Sequence, residues 1–247
     1  MLSFLTDPIV HLLIFLYGNL GQSLGLAIIV LTLLVRTALL PISLPALKSA
    51  RKMQELKPQL DKLKKKHKDK TKLQQAQLEL YRHHGINPLS GCLPQLVQIV
   101  VLIALYQAFI GFITSGQFNG SALHTSFLWL DLSQSDPYYI LPILAGGTQL
   151  LYSLAMQTGL ESHLKAPKQK SPRQKEEDSL EMAQSIQQQM IYLMPLMTLI
   201  IATRFPSGLA LYWVVTTIYS FVQQLIISGP GGLIHYKNLI LARFNFR

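Results

Sequence analysis

Residues 24–44, LGLAIIVLTLLVRTALLPISL, constrain the fold most, because they are long and apolar enough to cross a bilayer yet contain Arg36 near their middle. A hydrocarbon core about 30 Å thick requires roughly 20 apolar residues of helix. A central arginine costs about 2.5–3.5 kcal/mol on insertion scales. Since arginine stays charged and has five donors, we expect Arg36 to face a bundle interior or a wet cavity. The alternative is an arginine that snorkels near a helix end.

The composition indicates an integral membrane protein. Hydrophobic residues make up 49% of the chain and charged residues 14%, and the mean hydropathy is +0.29. The net charge of +10 could suit a nucleic-acid binder, but membrane topology and anionic lipid explain basic segments between membrane spans. We therefore expect no direct nucleic-acid partner. The single cysteine, Cys92, excludes an intrachain disulfide and a multi-cysteine metal site, and we expect no cofactor.

Residues 1–20 are predicted to form an interfacial helix on the outer face of the membrane. They lack the basic start of a secretory signal, and Asp7-Pro8 interrupts the apolar run before it is long enough to span. The competing interpretation is a signal-anchor that crosses the membrane. In that case every later loop would change sides.

A strongly basic segment follows the first predicted transmembrane helix, which we place at residues 21–46. Residues 48–82 carry twelve Lys and Arg against four acidic residues. Apolar side chains at helical spacing, with a polar break at 68–71, predict two helices that end near Gly85. We therefore predict a basic cytoplasmic helical hairpin over residues 47–90. It fixes orientation only, or also binds lipid headgroups, a ribosome or a nascent chain.

The predicted fold is all-α: a polytopic bundle of five transmembrane helices with the cytoplasmic helical hairpin. Helices two to five fall within residues 91–228, at 91–114, 138–159, 188–203 and 209–228. A polar linker lies at 161–187 and a tail at 229–247. Lys and Arg number twelve, five and three in the hairpin, linker and tail, against none, none and one in the N-terminus and the loops at 115–137 and 204–208. The positive-inside rule then predicts an outside N-terminus and a cytoplasmic C-terminus.

Several motifs occur in a distinctive order. The arginine of the first span and a following proline precede MQELKPQLDKLKKKHKDK, LYRHHGINPLSGCLPQLVQ, ALYQAF and FPSGLALYW. Over residues 21–228 this order resembles the YidC/Oxa/Alb family of membrane protein insertases. The resemblance implies a bacterial plasma-membrane protein with a hydrophilic groove that is open to cytoplasm and lipid, closed to the outside and independent of nucleotide. It implies nascent membrane proteins as partners, and it admits the ribosome and the Sec translocon beside anionic lipid headgroups.

The resemblance also implies a substrate groove formed by Arg36, Gln98, Tyr212, Trp213, Thr216 and Thr217. We expect the arginine to attract acidic residues of a translocating tail, while the amide and the two hydroxyls offer neutral hydrogen bonds. The aromatic pair would offer an apolar exit surface with polar edges. Its alternative role is a membrane-interface belt. For Gln98 the alternative is a hydrogen bond that packs two helices.

Two other classes of function are known for small polytopic membrane proteins. An intramembrane protease would require a H-E-x-x-H zinc site, a G-x-S-x-G-like nucleophile or paired aspartates, and the sequence contains none of these motifs. We therefore expect no enzymatic activity. A small secondary transporter or channel is the alternative that stays open, although the chain shows no convincing internal repeat. Gradient-dependent uptake into vesicles would favour it, whereas insertion of a short reporter protein would favour the insertase.

Overall fold

The computed structural model describes residues 3–66, 70–86, 93–115, 117–118, 121–156 and 191–230. Within them the helices are α1 (Ser3–Asn19), α2 (Leu24–Ala38), α3 (Leu40–Glu55), α4 (Lys57–Lys66), α5 (Lys70–His83), α6 (Leu93–Ser115), α7 (Ile140–Met156), α8 (Ile191–Ala202) and α9 (Ser207–Ser228). Two short antiparallel pairs occupy the loop between α6 and α7, formed by β1 (Gln117–Phe118) with β2 (Ser121–Ala122) and β3 (Ser126–Phe127) with β4 (Leu130–Asp131). The mainly helical class is as predicted. Cys92, the predicted linker and residues 231–247 of the predicted tail lie outside the described residues.

Helix α1 lies within residues 1–20, where the sequence predicts a helix. It runs through Pro8 and packs against α2 and α6. Tyr17, near its end, is fully buried; its ring meets Phe112 edge-on at 5.4 Å between centroids, and its hydroxyl accepts the backbone N–H of His124 at 2.8 Å. These contacts join α1 to the bundle and to the α6–α7 loop. Its position on the outer face of the membrane stays a prediction.

The segment predicted as one helix over residues 24–44 is two helices in the structure. Helix α2 ends at Ala38, α3 begins at Leu40, and the two axes are bent by 66°. The reason is Pro41 in the first turn of α3, because a proline ring clashes with the carbonyl four residues earlier and lacks an N–H. The single helix predicted over residues 24–44 is therefore broken at Leu39, and Arg36 lies in the last turn of α2.

The basic segment forms a helical hairpin of α4 and α5, which pack against each other. A break at Leu56 separates α4 from α3, directly before Lys57-Pro58. Leu56, Leu60 and Ile86 form a small buried cluster of their own. Gly85 has a φ of +63°, which suits the left-handed residue that ends a helix. The cytoplasmic location of the hairpin stays a prediction.

Several described helices are apolar enough for a membrane. Val97–Thr114 within α6 and Ser207–Ser228 are long enough to cross alone, and the bent α2–α3 pair would be a third span. Helices α7 and α8 are shorter apolar helices, and the residues between them lie outside the described part of the chain. Multiple apolar spans are thus confirmed, while the count of five stays a prediction.

Helix α9 is central to the bundle, since it packs against α2, α3, α6 and α7. The main core lies on one half of the molecule, at the end that carries the α6–α7 loop. Its buried side chains include Tyr17, Leu24, Ile28, Leu31, Leu105, Phe109, Phe112, Leu132, Leu141, Ala145, Ala202 and Leu209. In α6 these residues are C-terminal to Gln98, whereas in α2 they are N-terminal to Arg36. The tightly packed half is therefore opposite the end where the hairpin begins.

Candidate functional site

A cavity of about 260 Å³ occupies the other half of the bundle, towards the basic hairpin. Six helices contribute to it: α2, α3, α6, α7, α8 and α9. At about 30 Å³ of liquid volume for each water, this space holds roughly nine waters. Its polar lining consists of Arg36, Ser43, Gln98, Gln149, Tyr152, Thr198, Thr216, Thr217, Ser220 and Gln223. The cavity thus gives polar side chains of several apolar helices a common aqueous space.

Arg36 enters this cavity without a counter-charge. No acidic side chain of the described residues lines the cavity or pairs with the guanidinium, and the one ion pair found in that part of the chain joins Arg51 to Glu55. The Nε atom of Arg36 is buried and has no hydrogen-bond partner within the described structure. Three tyrosines lie close enough to interact with the guanidinium electrostatically: Tyr152, Tyr212 and Tyr219. Neutral dipoles therefore surround the cation, and an external anion can still approach it.

Gln98 and Tyr212 form one polar unit between α6 and α9. The Nε2 of Gln98 donates to the tyrosine hydroxyl at 2.8 Å. Gln98 lines the cavity, whereas Tyr212 is 2% exposed and is not among the described residues that line it. Of the six residues that the sequence predicts, Tyr212 is thus the one that lies behind the cavity wall. It holds the amide of Gln98 rather than presenting a surface of its own.

The other predicted residues of α9 share one face of that helix. Trp213, Thr216 and Thr217 all line the cavity. The Thr217 hydroxyl lies 2.7 Å from that of Thr148 on α7, so it also joins two helices. The Oγ1 of Thr216 is buried and lies close to the Tyr212 hydroxyl, one helical turn earlier.

Several lining residues were not among those predicted for the groove. Ser220 and Gln223 continue the stripe of Thr216 along α9, and Gln149 with Tyr152 forms a similar stripe on α7. The signal for both stripes is present in the sequence, since polar residues three or four apart share a helix face. Ser43 gives no such signal, because its approach to the cavity depends on the bend at Leu39.

The cavity also has an apolar wall. Met156 of α7 and Met194 and Met197 of α8 line it, together with Ile99, Leu102 and Ile201. Methionine is flexible and polarizable, so it adapts to apolar side chains of different shapes. The site therefore combines one cationic, hydrogen-bonding side with one deformable apolar side.

The opposite end of the bundle is closed by direct contacts. A Cβ on Gly25 would overlap the ring of Phe127, and a Cβ on Gly208 would overlap the ring of Phe109. The loop before α7 also binds the start of α9, because Ser207 donates its N–H to the carbonyl of Gln134 at 2.6 Å and its hydroxyl to the same oxygen at 2.7 Å. Aromatic rings thus fill the space that glycines leave open. The cavity does not continue towards this end.

Known proteins resemble this chain over most of its length. The family described as "60Kd inner membrane protein" matches residues 15–230. "Membrane protein insertase YidC 2" of Bacillus anthracis is 39% identical over 228 residues, which are 90% of this chain and 79% of that protein. "Membrane protein insertase MisCA" of Bacillus subtilis (strain 168) is 35% identical over 233 residues, 92% of this chain and 79% of that protein. These similarities favour the insertase over the transporter or channel.

A solved structure has the same fold. The crystal structure of an active YidC insertase with its first transmembrane domain resolved aligns with a TM-score of 0.59 at 27% sequence identity. The alignment covers 90% of this chain and 45% of that one, so this chain spans about half the length of the crystallised protein. Family, fold and relatives agree: the chain belongs to the YidC/Oxa family of bacterial membrane protein insertases, multi-pass proteins of the cell membrane that are not enzymes.

Proposed function

We propose that this insertase receives the hydrophilic end of a nascent membrane protein in the cavity around Arg36 and releases the adjoining apolar segment into lipid. The observation that carries this proposal is the half-buried arginine, which lines the cavity and has no acidic partner among the described residues. No nucleotide enters the mechanism, because partition of the apolar segment into lipid supplies the driving force.

The cavity lowers the cost of moving polar groups part of the way across the membrane. A polar group that enters hydrocarbon without a hydrogen bond loses several kcal/mol. In the cavity, Gln98 and Thr216 offer replacement hydrogen bonds, and Arg36 attracts carboxylates more strongly than it would in bulk water. The interaction must stay weak enough for release, and one cation with neutral neighbours meets this requirement.

The two walls suggest how a substrate is divided between them. Its hydrophilic end lies against Arg36 and the polar stripe of α9. Its apolar segment packs against Trp213 and the methionines of α7 and α8, which tolerate varied side chains. Tyr212 acts through Gln98, whose amide it holds at 2.8 Å.

The orientation of the protein follows from charge. We infer that the N-terminus is outside and the C-terminus is cytoplasmic, because the twelve Lys and Arg of the hairpin segment belong on the cytoplasmic side. The cavity lies towards that hairpin, so it opens to the compartment where substrates are made. The hairpin itself binds anionic headgroups, and ribosome or Sec translocon are further partners of this face. No nucleic acid binds directly.

The test is insertion of a small single-span protein with an acidic N-terminal tail into proteoliposomes that contain only this protein. We expect Arg36→Ala to lower insertion at least about tenfold, because it removes an attraction worth several kcal/mol in a partly buried site. Arg36→Lys retains the charge and most of the activity. Arg204→Ala is the matched control, since it removes an exposed arginine outside the cavity.

The possible outcomes distinguish between the roles of Arg36 and between the candidate functions. A substrate with a neutral tail should insert equally well with either residue at position 36. Equal insertion of the acidic substrate by wild type and Arg36→Ala would make the arginine structural. Gradient-driven solute uptake without insertion would support a transporter or channel instead.

A further inference from the structure

Helix α3 forms one wall of the cavity, although it leaves the bundle at an angle. It turns away from α2 by 66° at Leu39. Ser43, Ala46 and Leu47 on α3 nevertheless line the cavity beside Ser220 and Gln223 of α9. The cavity is therefore bounded on its hairpin side by a helix that a single non-helical residue joins to α2.

Polar contacts hold α3 against the end of α9. Gln223 donates its amide to the Ser43 hydroxyl at 2.9 Å, and that hydroxyl in turn donates to the carbonyl of Leu40 at 3.0 Å. Ser228 donates its hydroxyl to the carbonyl of Leu47 at 2.8 Å. A weaker contact of 3.4 Å joins Arg51 Nη1 to the carbonyl of Ile227. We call these contacts the α3–α9 seam.

The seam is weak compared with the packing of the main bundle. The buried apolar residues of α3 are Ala46, Leu47 and Ala50, so two of the three are alanines. In contrast, α2 and α9 share a core that includes Leu24, Leu31 and many larger side chains. Stability within one protein varies in this way, and segments with few buried apolar contacts open first. Helix α3 also packs against α6, so we expect it to separate from both α9 and α6 while the main core stays packed.

We propose that α3 is a hinged wall of the cavity, which pivots at Leu39 and which Ser43, Gln223 and Ser228 hold closed as positioning residues. The wall swings outward to admit the hydrophilic end of a substrate and closes again when the cavity is empty. This inference rests on the proposed function of the cavity. It adds a moving element and assigns Ser43, Gln223 and Ser228 a role in holding that element in place.

The first experiment locks the wall. In a Cys92→Ser background, Arg51→Cys and Ile227→Cys, which lie across the seam but outside the cavity lining, are joined by a short bis-methanethiosulfonate reagent, which reducing agents remove. The unlocked protein inserts the acidic-tailed substrate, the locked protein loses insertion, and reduction restores it. Equal insertion by locked and unlocked protein would overturn the hinged wall, while leaving the insertase function intact.

The matched control locks the opposite end of the bundle. Gln134→Cys and Ser207→Cys replace residues whose backbones meet at 2.6 Å, in contacts that we expect to stay closed throughout insertion. This lock leaves insertion unchanged. Loss of insertion in both locked proteins would refute a role specific to α3. Failure of the unlocked wild type to insert anything would instead refute the proposed function.

A second measurement needs no substrate. A Ser220→Cys reporter in the cavity is labelled by a water-soluble maleimide at a rate that follows the open population. Ser43→Ala should raise this rate about 2- to 12-fold, the equivalent of one net hydrogen bond, whereas Ser43→Thr keeps the hydroxyl and the wild-type rate. An unchanged rate in Ser43→Ala would contradict the role of the seam, whatever the insertion assay shows.

Discussion

Gly146 and Gly147 are neighbours on α7, yet a methyl group would meet different surroundings at the two positions. At Gly146 an added Cβ would lie 2.9 Å from the Cβ of Leu199 and 3.3 Å from both Leu199 Cδ1 and the carbonyl oxygen of Pro195. At Gly147 nothing lies within 4 Å. Gly146 therefore allows α7 and α8 to approach closely, whereas Gly147 faces open space. Alanine substitution should consequently have opposite effects at the two positions.

The magnitude follows from two terms. Both substitutions replace a glycine in a helix interior by alanine, and this raises the unfolding free energy by roughly 0.5–1 kcal/mol. Only Gly146→Ala also overpacks a helix contact, at a cost of roughly 1–3 kcal/mol. The propensity term cancels between the variants, so their stabilities should differ by the overpacking cost alone. For a chain of this length that difference corresponds to about 2–12 °C in Tm, with Gly147→Ala the more stable.

The assay is thermal unfolding of the purified variants in one detergent, at one scan rate because membrane proteins often unfold irreversibly. Neither glycine lines the cavity, so both variants should insert substrate at the wild-type rate below their melting temperatures. Equal shifts in Tm, or a larger loss for Gly147→Ala, would refute the close approach of α7 and α8 at Gly146.

Three further predictions concern side chains that form hydrogen bonds. Asp136 accepts two backbone N–H groups at the start of α7, at 3.0 and 2.7 Å, so Asp136→Ala should lower the unfolding free energy by about 0.5–2 kcal/mol and Asp136→Asn by less. Tyr212→Phe removes the acceptor of the Gln98 amide and should cost about 0.5–1.5 kcal/mol in thermal unfolding. Hydrogen bonds from Ser133, foremost from its hydroxyl at 2.6 Å, hold the pKa of Asp131 below its ordinary value of 3.8, so Ser133→Ala should raise this pKa in an NMR titration. A lowered carboxyl pKa stabilises the folded state at pH values above the pKa of the unfolded state. The difference in unfolding free energy between wild type and Ser133→Ala should therefore be fully present above about pH 4 and should vanish as the pH falls through the lowered pKa.

Much of the fold can be predicted from local sequence. Apolar runs predict helices in the regions where α6, α7, α8 and α9 lie, and helical spacing with a terminal glycine predicts the hairpin. The polar residues in those runs point to the cavity, because an amide or a guanidinium in a membrane segment needs a partner or water. Arg36, Gln98, Trp213, Thr216 and Thr217 line one cavity in the structure. Their contact with substrate stays a prediction.

Other features depend on contacts between residues far apart in the chain. The seam joins Ser43 to Gln223, which are 180 positions apart in the chain. No local sequence pattern at either residue predicts this contact. The bend at Leu39 is not predicted from the sequence, because both Pro41 and Pro45 can end a helix and packing decides between them. The position of Tyr212 behind the cavity wall also depends on contacts between distant residues. Its place in an aromatic pair does not reveal which ring faces inward.

The division of the bundle into a packed half and a cavity half is most evident along α9. Leu209, Ala210 and Leu211 are buried in the core, whereas Trp213, Thr216, Thr217, Ser220 and Gln223 line the cavity. Polar side chains in the second half need water or each other, because lipid offers no hydrogen bonds. An insertase that admitted water at both ends would leak, so the close ring contacts at Gly25 and Gly208 complement the cavity. The same helix therefore contributes to the packed end and, in the function that we propose, to substrate entry at the other.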